Sequence, residues 1–153
     1  MPVNKISISK KVILRNTKAK QLLLQEQVAV SVKKEDIQQI LSTTLQNFNK
    51  VDILFNGAGI FDMRPLLDES WDVFDQLFTV NVKESFFLMQ AVAKQMVEQN
   101  EDGKIINLSF QAPPFGTNGL PENFMGAALF LVSSDSNYIT SQTLNIDNEN
   151  YMN

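Results

Sequence analysis

The stretch Val51-Asp-Ile-Leu-Phe-Asn-Gly-Ala-Gly59 decides the fold, because a short apolar run leads directly into a loop with two glycines. An apolar run of this length is typical of a buried strand. The glycines allow the backbone of the loop to approach a ligand closely. Ahead of this stretch, side chains that can be buried recur at the spacing of one helix face, at Ile37, Ile40, Leu41, Thr44, Leu45 and Phe48. The sequence therefore predicts a helix, a buried strand and a ligand-binding loop, in that order.

The rest of the chain continues this alternation of strands and helices. Strands are predicted at residues 12–15, 28–32, 104–110 and 143–146, and helices at residues 16–27, 70–79, 81–99 and 121–132. Such alternation predicts an α/β fold, with a mostly parallel sheet and helices on both faces. The right-handed crossover rule makes the sheet doubly wound. Ligands bind these sheets outside the carboxyl ends of the strands, which is where the Asn-Gly-Ala-Gly loop falls.

Composition removes several classes of chemistry. The 153-residue chain contains neither cysteine nor histidine, so disulfides, thiolate nucleophiles and a Ser-His-Asp triad are excluded. The usual zinc ligands are missing too, and no metal site is predicted. No apolar run approaches the ~20 residues that span a bilayer, and no signal-peptide pattern opens the chain. We therefore expect a cytoplasmic protein with no membrane partner.

Positive charge is concentrated at the start of the chain. Residues 1–20 contain six lysines and arginines and no acidic residue, whereas the whole chain has a net charge of −4. The basic segment has no arginine cluster and no interleaved aromatic residues. We therefore interpret it as a solvated surface and expect no nucleic-acid partner. Residues 1–11 are predicted to be an irregular basic segment that precedes a single partial domain at residues 12–153.

From residue 12 onward the chain resembles the short-chain dehydrogenase/reductase family. The loop Asn56-Gly57-Ala58-Gly59 is similar to the family's Asn-Asn-Ala-Gly loop, and residues 103–109 are similar to the strand that delivers its catalytic serine. Asn81, in Thr-Val-Asn-Val-Lys, looks like the asparagine of the catalytic tetrad. Residues 121–131 and 138–147 look like the last helix and strand. Residues 60–63, 110–112 and 150–152 look most like sorbitol-type polyol dehydrogenases.

The resemblance implies an incomplete Rossmann-like fold and a cofactor, NAD or NADP. It assigns Asn56, Gly57, Ala58 and Gly59 to cofactor binding and Asn81 to catalysis, with an alcohol, polyol or carbonyl compound as substrate. In the family, the helices that match residues 70–99 commonly form the subunit interface, so a homo- or hetero-oligomer is also implied.

The sequence departs from the family pattern on both sides of the loop. No glycine precedes Gly57, so the Gly-rich phosphate loop is missing, and the position of the catalytic serine matches Phe110. The only tyrosines are Tyr138 and Tyr151 and the last lysine is Lys104, so no Tyr-x-x-x-Lys pair exists. At residues 112/113 the match jumps, which predicts an internal deletion. In the family, the first strand of the sheet lies beside the fourth, which matches residues 51–55 here. Loss of that first strand would leave a gap in the sheet, and we expect a partner chain or residues 6–8 to fill it.

Three hypotheses follow for the function. The chain is an oxidoreductase by ancestry that has lost its activity, or a non-catalytic module that binds a related subunit through the helix pair at residues 70–99. The third is a residual nucleotide binder that uses Asn56, Gly59 and Asn81.

Overall fold

The computed structural model describes residues 11–16, 22–27, 33–62, 64–109 and 121–146. These residues contain four strands and four α-helices, in the order β1 (Lys11–Asn16), β2 (Leu22–Gln27), α1 (Lys34–Phe48), β3 (Ile53–Asn56), α2 (Trp71–Phe78), α3 (Ser85–Gln99), β4 (Lys104–Asn107) and α4 (Pro121–Val132). A π-helix, Thr79–Glu84, joins α2 to α3, and 3-10 turns lie at Leu66–Asp68 and Ser134–Ser136. The α/β class predicted from the sequence is confirmed.

The four strands form one sheet in the order β2-β1-β3-β4. β3 and β4 are parallel, with Ile53 opposite Lys104 and Asn56 opposite Asn107. The helices between them supply the long crossover that a parallel pair requires. This part of the sheet is the strand–helix–strand unit that the glycine loop predicted. The predicted parallel arrangement does not extend further, because β1 runs antiparallel to both β2 and β3.

The helix predicted at residues 16–27 is wrong, since residues 22–27 form the strand β2. Three consecutive leucines in this segment provide an apolar run without a clear period, and such a run fits a strand as well as a helix. Only residues 17–21 connect β1 to β2. This connection is too short for a crossover of about a dozen residues, so β2 turns back as an antiparallel neighbour. The strand predicted at residues 28–32 lies outside the described residues.

The gap expected beside β3 is occupied by β1. In the register of this pair, Lys11 lies opposite Asn56 and Leu14 lies opposite Ile53. Neither a partner chain nor residues 6–8 is therefore needed at this position, and residues 6–8 themselves lie outside the described residues. The place expected for a parallel strand is taken by an antiparallel one.

The hydrophobic core lies between α1, α3 and β3. It contains Ile37, Ile40, Val51, Leu54, Leu88, Val92 and Met96, and Leu41 and Leu45 pack against it. The predicted apolar face of α1 is thus confirmed. Leu54, Leu88 and Val92 are completely buried, and burial of one such side chain contributes about 1.5–3 kcal/mol. Because β3 is fixed by this core, the position of the loop that follows it is fixed as well.

Side-chain interactions hold the amino end of β3. The Gln99 amide accepts a hydrogen bond from the Val51 N–H (2.8 Å) and donates one to the Val51 carbonyl (3.0 Å). Next to it, Lys50 forms ion pairs with Asp52 and Glu101. Hydrogen bonds to these two carboxylates raise the pKa of Lys50 above its ordinary value. The end of α3 and the turn into β4 are in this way attached to the start of β3.

Residues Met1–Leu108 and Ser109–Asn153 form two compact units. In the second unit, α4 begins at Pro121, a residue suited to a first helical turn, and the helix predicted at residues 121–132 is confirmed. The Ser136 hydroxyl donates to the Leu131 carbonyl at 2.8 Å and fixes the 3-10 turn that follows the helix. The strand predicted at residues 143–146 is wrong. These residues are irregular and exposed, because no described strand pairs with them.

Candidate functional site

The candidate site begins where β3 ends. Asn56, its last residue, is only 4% exposed. Its side-chain amide donates to the Ser85 carbonyl and to Asn107 Oδ1, each at 3.3 Å, and its backbone carbonyl accepts from the Leu108 N–H at 2.9 Å. Asn56 therefore links β3, α3 and β4 directly beneath the loop.

One atom of Asn56 has no hydrogen-bond partner among the described residues. Its Oδ1 is buried and accepts no hydrogen bond from them. A buried acceptor in this state costs roughly 1–3 kcal/mol. The atom lies at the carboxyl end of a parallel strand, where ligands of such sheets bind. A donor group brought to this position would recover that free energy.

Asn81 holds the far end of the loop. Its Oδ1 accepts from the Ile60 N–H and its Nδ2 donates to the Ile60 carbonyl, both at 2.8 Å. Both functional groups of the amide are therefore engaged with the backbone of a single residue. This arrangement suits a side chain that positions the loop. A Cβ at the neighbouring Gly59 would lie 3.5 Å from Asn81 Oδ1, which is ordinary van der Waals contact.

The π-helix explains how Asn81 comes to lie beside the loop. Within Thr79–Glu84, Val80 and Glu84 are buried while Asn81 is exposed. π-helical turns are frequent at functional sites because the extra residue redirects neighbouring side chains. The sequence prediction missed this feature and placed a break between two helices at residue 80. That break, between two strongly apolar helical patterns, was the available signal.

The structure brings the predicted site residues together. Asn56 ends β3, Gly57, Ala58 and Gly59 follow it in the loop, and Asn81 contacts the next residue, Ile60. Of the residues that bear on the missing chemistry, Ser109 follows β4 and is exposed, whereas Phe110 lies outside the described residues. Tyr138 is fully exposed in the second unit.

The described part of the chain offers neither a metal site nor a membrane-spanning helix. Within it, no group of three or more acidic side chains has the geometry of a metal site. None of its helices combines the length and apolar character needed to cross a bilayer.

The sequence of this chain matches a known family. The family model for short chain dehydrogenases aligns with residues 9–121, about three quarters of the chain. The chain belongs to the short chain dehydrogenase family. The predicted resemblance is therefore confirmed, and the sheet with its helices is an incomplete version of the Rossmann-like fold of this family.

Individual relatives agree with this assignment. A sorbitol dehydrogenase of Cereibacter sphaeroides is 24% identical over 190 residues, which cover 76% of this chain and 74% of the relative. A 2-dehydro-3-deoxy-D-gluconate 5-dehydrogenase of Dickeya dadantii is 27% identical over 173 residues, covering 71% and 68%. Among solved structures, acetoin dehydrogenase YohF of Salmonella typhimurium superposes with a TM-score of 0.50 and 31% identity, over 61% of this chain and 35% of that one. The chain thus spans about a third of this solved short chain dehydrogenase.

Proposed function

We propose that this chain is a short chain dehydrogenase of the NAD(P)-dependent alcohol or polyol class by ancestry that no longer transfers hydride. The observation that carries the proposal is the missing Tyr-x-x-x-Lys pair. Four residues after Tyr138 stands Gln142, and no lysine follows Lys104. In the family that this chain resembles, the tyrosine of the missing pair is the general acid or base, and the lysine lowers the pKa of that tyrosine. Positioned acid–base catalysis contributes about 10²–10⁴ in rate, and no histidine is available to replace it.

The topology of β1 adds a second argument, on the cofactor side. Because β1 is antiparallel to β3, the start of β1 at Lys11 lies beside Asn56, whereas its end lies near the opposite edge of the sheet. The carboxyl end of β1, at Asn16, is therefore far from the loop at residues 57–59. A phosphate-binding turn has to follow a strand at the carboxyl edge of the parallel pair. β1 does not end at that edge, so it does not lead into such a turn.

We propose an internal deletion at residues 112/113, where the match to the family pattern jumps, and the length of the alignment supports segments missing from this chain. The alignment with sorbitol dehydrogenase spans 190 residues, but it includes only 76% of this 153-residue chain. The relative therefore contains segments that have no counterpart here. A deletion at this point would remove the residues that follow the serine strand in the family, including the proton-transfer pair.

What remains of the cofactor site is the loop and its support. We propose that Asn56, Gly57, Ala58 and Gly59 are the remnant of an NAD or NADP site, with Asn81 in the place of the catalytic asparagine. The substrate class, an alcohol, polyol or carbonyl compound, is taken from relatives such as sorbitol dehydrogenase. Without a phosphate loop, we expect this remnant to bind dinucleotide weakly or not at all.

The decisive experiment is an activity assay with an internal control for contaminating enzymes. The purified chain is incubated with sorbitol and NAD or NADP, alongside Asn81→Ala and Asn47→Ala, the latter an exposed residue of α1. We expect no reduced cofactor above the protein-free background in any sample. Formation of NADH that Asn81→Ala abolishes and Asn47→Ala leaves unchanged would overturn the proposal, because a contaminant cannot respond to a substitution in this chain.

Cofactor binding is tested separately. Trp71, the only tryptophan, is 85% exposed at the start of α2, and its fluorescence can be followed during titration with NADH. A ligand that binds only the folded state must also raise the melting temperature. We expect neither a saturable quench nor a shift in melting temperature through the millimolar range. A saturable signal lost in Asn81→Ala would establish the residual nucleotide binder instead.

A second candidate function is a non-catalytic oligomerisation module, favoured by an exposed aromatic stripe. Phe74, Phe78, Val82 and Phe86 follow one another at intervals of four residues along α2, the π-helix and α3, and each is 46–54% exposed. The Phe74 and Phe78 rings stack with centroids 4.6 Å apart. Contiguous exposed apolar surface of this kind is typical of interaction sites. The partner would be a related subunit that presents the same helices.

The stripe is tested by charge. Val82→Glu places a carboxylate in its centre, and Gln46→Glu makes the same change of charge at an exposed residue of α1. If the stripe mediates assembly, Val82→Glu should lower the oligomeric state in analytical ultracentrifugation while Gln46→Glu does not. An unchanged sedimentation profile for Val82→Glu would exclude the stripe as the interface.

A further inference from the structure

A second surface, separate from the helix stripe, is the outer edge of β4. Among the described residues, β4 pairs only with β3. The Lys104 N–H donates to the Asp52 carbonyl and the Leu108 N–H donates to the Asn56 carbonyl, both at 2.9 Å. Since the peptide groups of a strand alternate in direction, the N–H and C=O groups of Ile105 and Asn107 point away from β3. The edge therefore presents donors and acceptors at a spacing that another strand can match.

This edge lacks most of the features that usually prevent strand pairing. Natural edge strands carry charged side chains, proline or bulges that keep other strands away. Lys104, at the start of β4, is the one charged residue of the segment Lys104–Leu108, and residues 105–109 read Ile-Ile-Asn-Leu-Ser, without charge or proline. Ile105 is 37% exposed and Leu108 is 46% exposed. Both the backbone and the side chains of this segment are thus suited to contact with a further strand.

We propose that β4 pairs antiparallel with β4 of a second copy of this chain, about a two-fold axis through Ile106. In this register Ile105 lies opposite Asn107 of the second copy, so their outward-pointing groups bond in both directions. Ile106 lies opposite Ile106, as a pair without hydrogen bonds. Lys104 lies opposite Leu108. A two-fold axis makes one strand its own complement, and the two sheets become a single continuous sheet.

The register is restricted by the alternation of the strand. A shift by one residue places the outward groups of one copy opposite the inward groups of the other, so the hydrogen bonds cannot form. Shifts by two residues restore the alternation, but the pairing then extends beyond Lys104–Leu108. The axis through Ile106 is the only one that keeps the entire pairing inside this segment. The proposal is independent of the ancestral activity and of the helix stripe.

The absence of cysteine from the sequence provides a direct test. In the proposed dimer the two Ile106 Cα atoms lie about 4.5 Å apart, within the range of about 4.4–6.8 Å that a disulfide bridges. Ile106→Cys should therefore form a disulfide-linked dimer on mild oxidation. Leu108→Cys is the matched control, because it lies on the same face of the strand. Its two Cα atoms would be about 14 Å apart, too far to be bridged.

The result expected is rapid cross-linking of Ile106→Cys and little or none of Leu108→Cys, although Leu108 is well exposed. Equal cross-linking of both variants would indicate random collision or open aggregation and would overturn the proposal. Failure of Ile106→Cys to cross-link would also overturn it.

A second measurement uses the backbone donor itself. Ile105→Pro removes an outward-pointing N–H and leaves the bonds to β3 intact, whereas Ile105→Ala keeps that N–H. Because the axis doubles the loss, Ile105→Pro should weaken dimerisation about tenfold relative to Ile105→Ala in analytical ultracentrifugation. Equal dissociation constants for the two variants would contradict the proposed pairing, as would a dimer that Val82→Glu dissociates and Ile105→Pro does not.

Discussion

The sheet contains two regions that were built on different principles. In residues 34–107, helices connect β3 to β4, the two strands are parallel, and α1 and α3 cover β3 with a buried apolar core. The β1–β2 hairpin has a short connection and antiparallel pairing, and it joins β3 only through its own strand β1. The first region carries the loop and Asn81. The hairpin completes the hydrogen bonding of β3, but the strand that it places next to β3, β1, ends at the opposite edge from the loop.

The difference shows that a neighbouring strand and a functional strand are separate requirements. β3 needs a partner along each side because its peptide groups are buried. An antiparallel strand satisfies that need as well as a parallel one. A cofactor site needs in addition that the neighbouring strand end at the same edge, and β1 does not.

The largest expected effect comes from the core of residues 34–107. Leu88→Ala should lower the free energy of unfolding by about 2–5 kcal/mol, because Leu88 is completely buried against α1 and β3. Urea denaturation followed by circular dichroism measures the change. Leu66→Ala, at an 89% exposed position, should stay within about 0.5 kcal/mol of the unmodified chain. Equal losses in both variants would mean that the core has been located wrongly.

A somewhat smaller effect is expected in the hairpin, and it should remain local. Ile13 pairs with Gln25 on β2 and with Leu54 on β3, so Ile13→Pro disrupts a strand that has neighbours on both sides. Hydrogen exchange should show loss of amide protection in β1 and β2, while the amides of α3 stay protected. Simultaneous loss of protection in α3 would show that the two regions unfold as one, and the comparison would fail.

The next effect concerns the loop. Asn81→Ala removes both hydrogen bonds to Ile60 and should lower stability by about 1–3 kcal/mol. The Ile60 amide should exchange faster, whereas the Val51 amide, held by Gln99, should not change. Asn47→Ala serves as the control for exposed asparagines. Unchanged exchange at Ile60 would show that the loop does not depend on Asn81.

The smallest effect is a dependence on pH. Hydrogen bonds to Asp52 and Glu101 raise the pKa of Lys50 above its ordinary 10.5. The stabilisation is therefore complete below pH 10.5 and is lost as the pH rises through the higher pKa of the folded state. The loss should stay below about 1 kcal/mol, since the pair is partly exposed. Lys50→Met should remove this component from the difference in melting temperature between neutral and strongly alkaline pH, and an identical pH profile would contradict the assignment.

Much of the parallel region could be predicted because its signals are local. The face of α1 at Ile37 and Ile40, the buried strand at Ile53 and the glycine loop after it each follow from residues close together in sequence. The position of Asn81 next to Ile60 could be inferred only through the family resemblance. Its geometry depends on a π-helical turn, which hydrophobic periodicity does not report.

The secondary structure of the hairpin and of residues 143–146 could not be predicted from neighbouring residues alone. The leucines at residues 22–24 fit either a helix or a strand, and the outcome depended on which partner was available. Leu144 and Ile146 have strand-like composition, yet no described strand pairs with them. Strand formation needs a partner whose position is set by the whole fold, so composition alone did not decide it. The roles of Asn56, Gly57, Ala58, Gly59 and Asn81 in cofactor binding and catalysis stay predictions.

The amide of Gln99 grips the backbone just before β3, and the amide of Asn81 grips it just after the loop. Both side chains belong to one uninterrupted helical run, residues 71–99. In mechanical terms, this helical run spans the length of β3 and is attached to the chain at Val51 before the strand and at Ile60 after the loop. A stretching force applied across Val51 and Ile60 would load these two side-chain clamps first, and the helix would bear tension before the strand separated from the sheet.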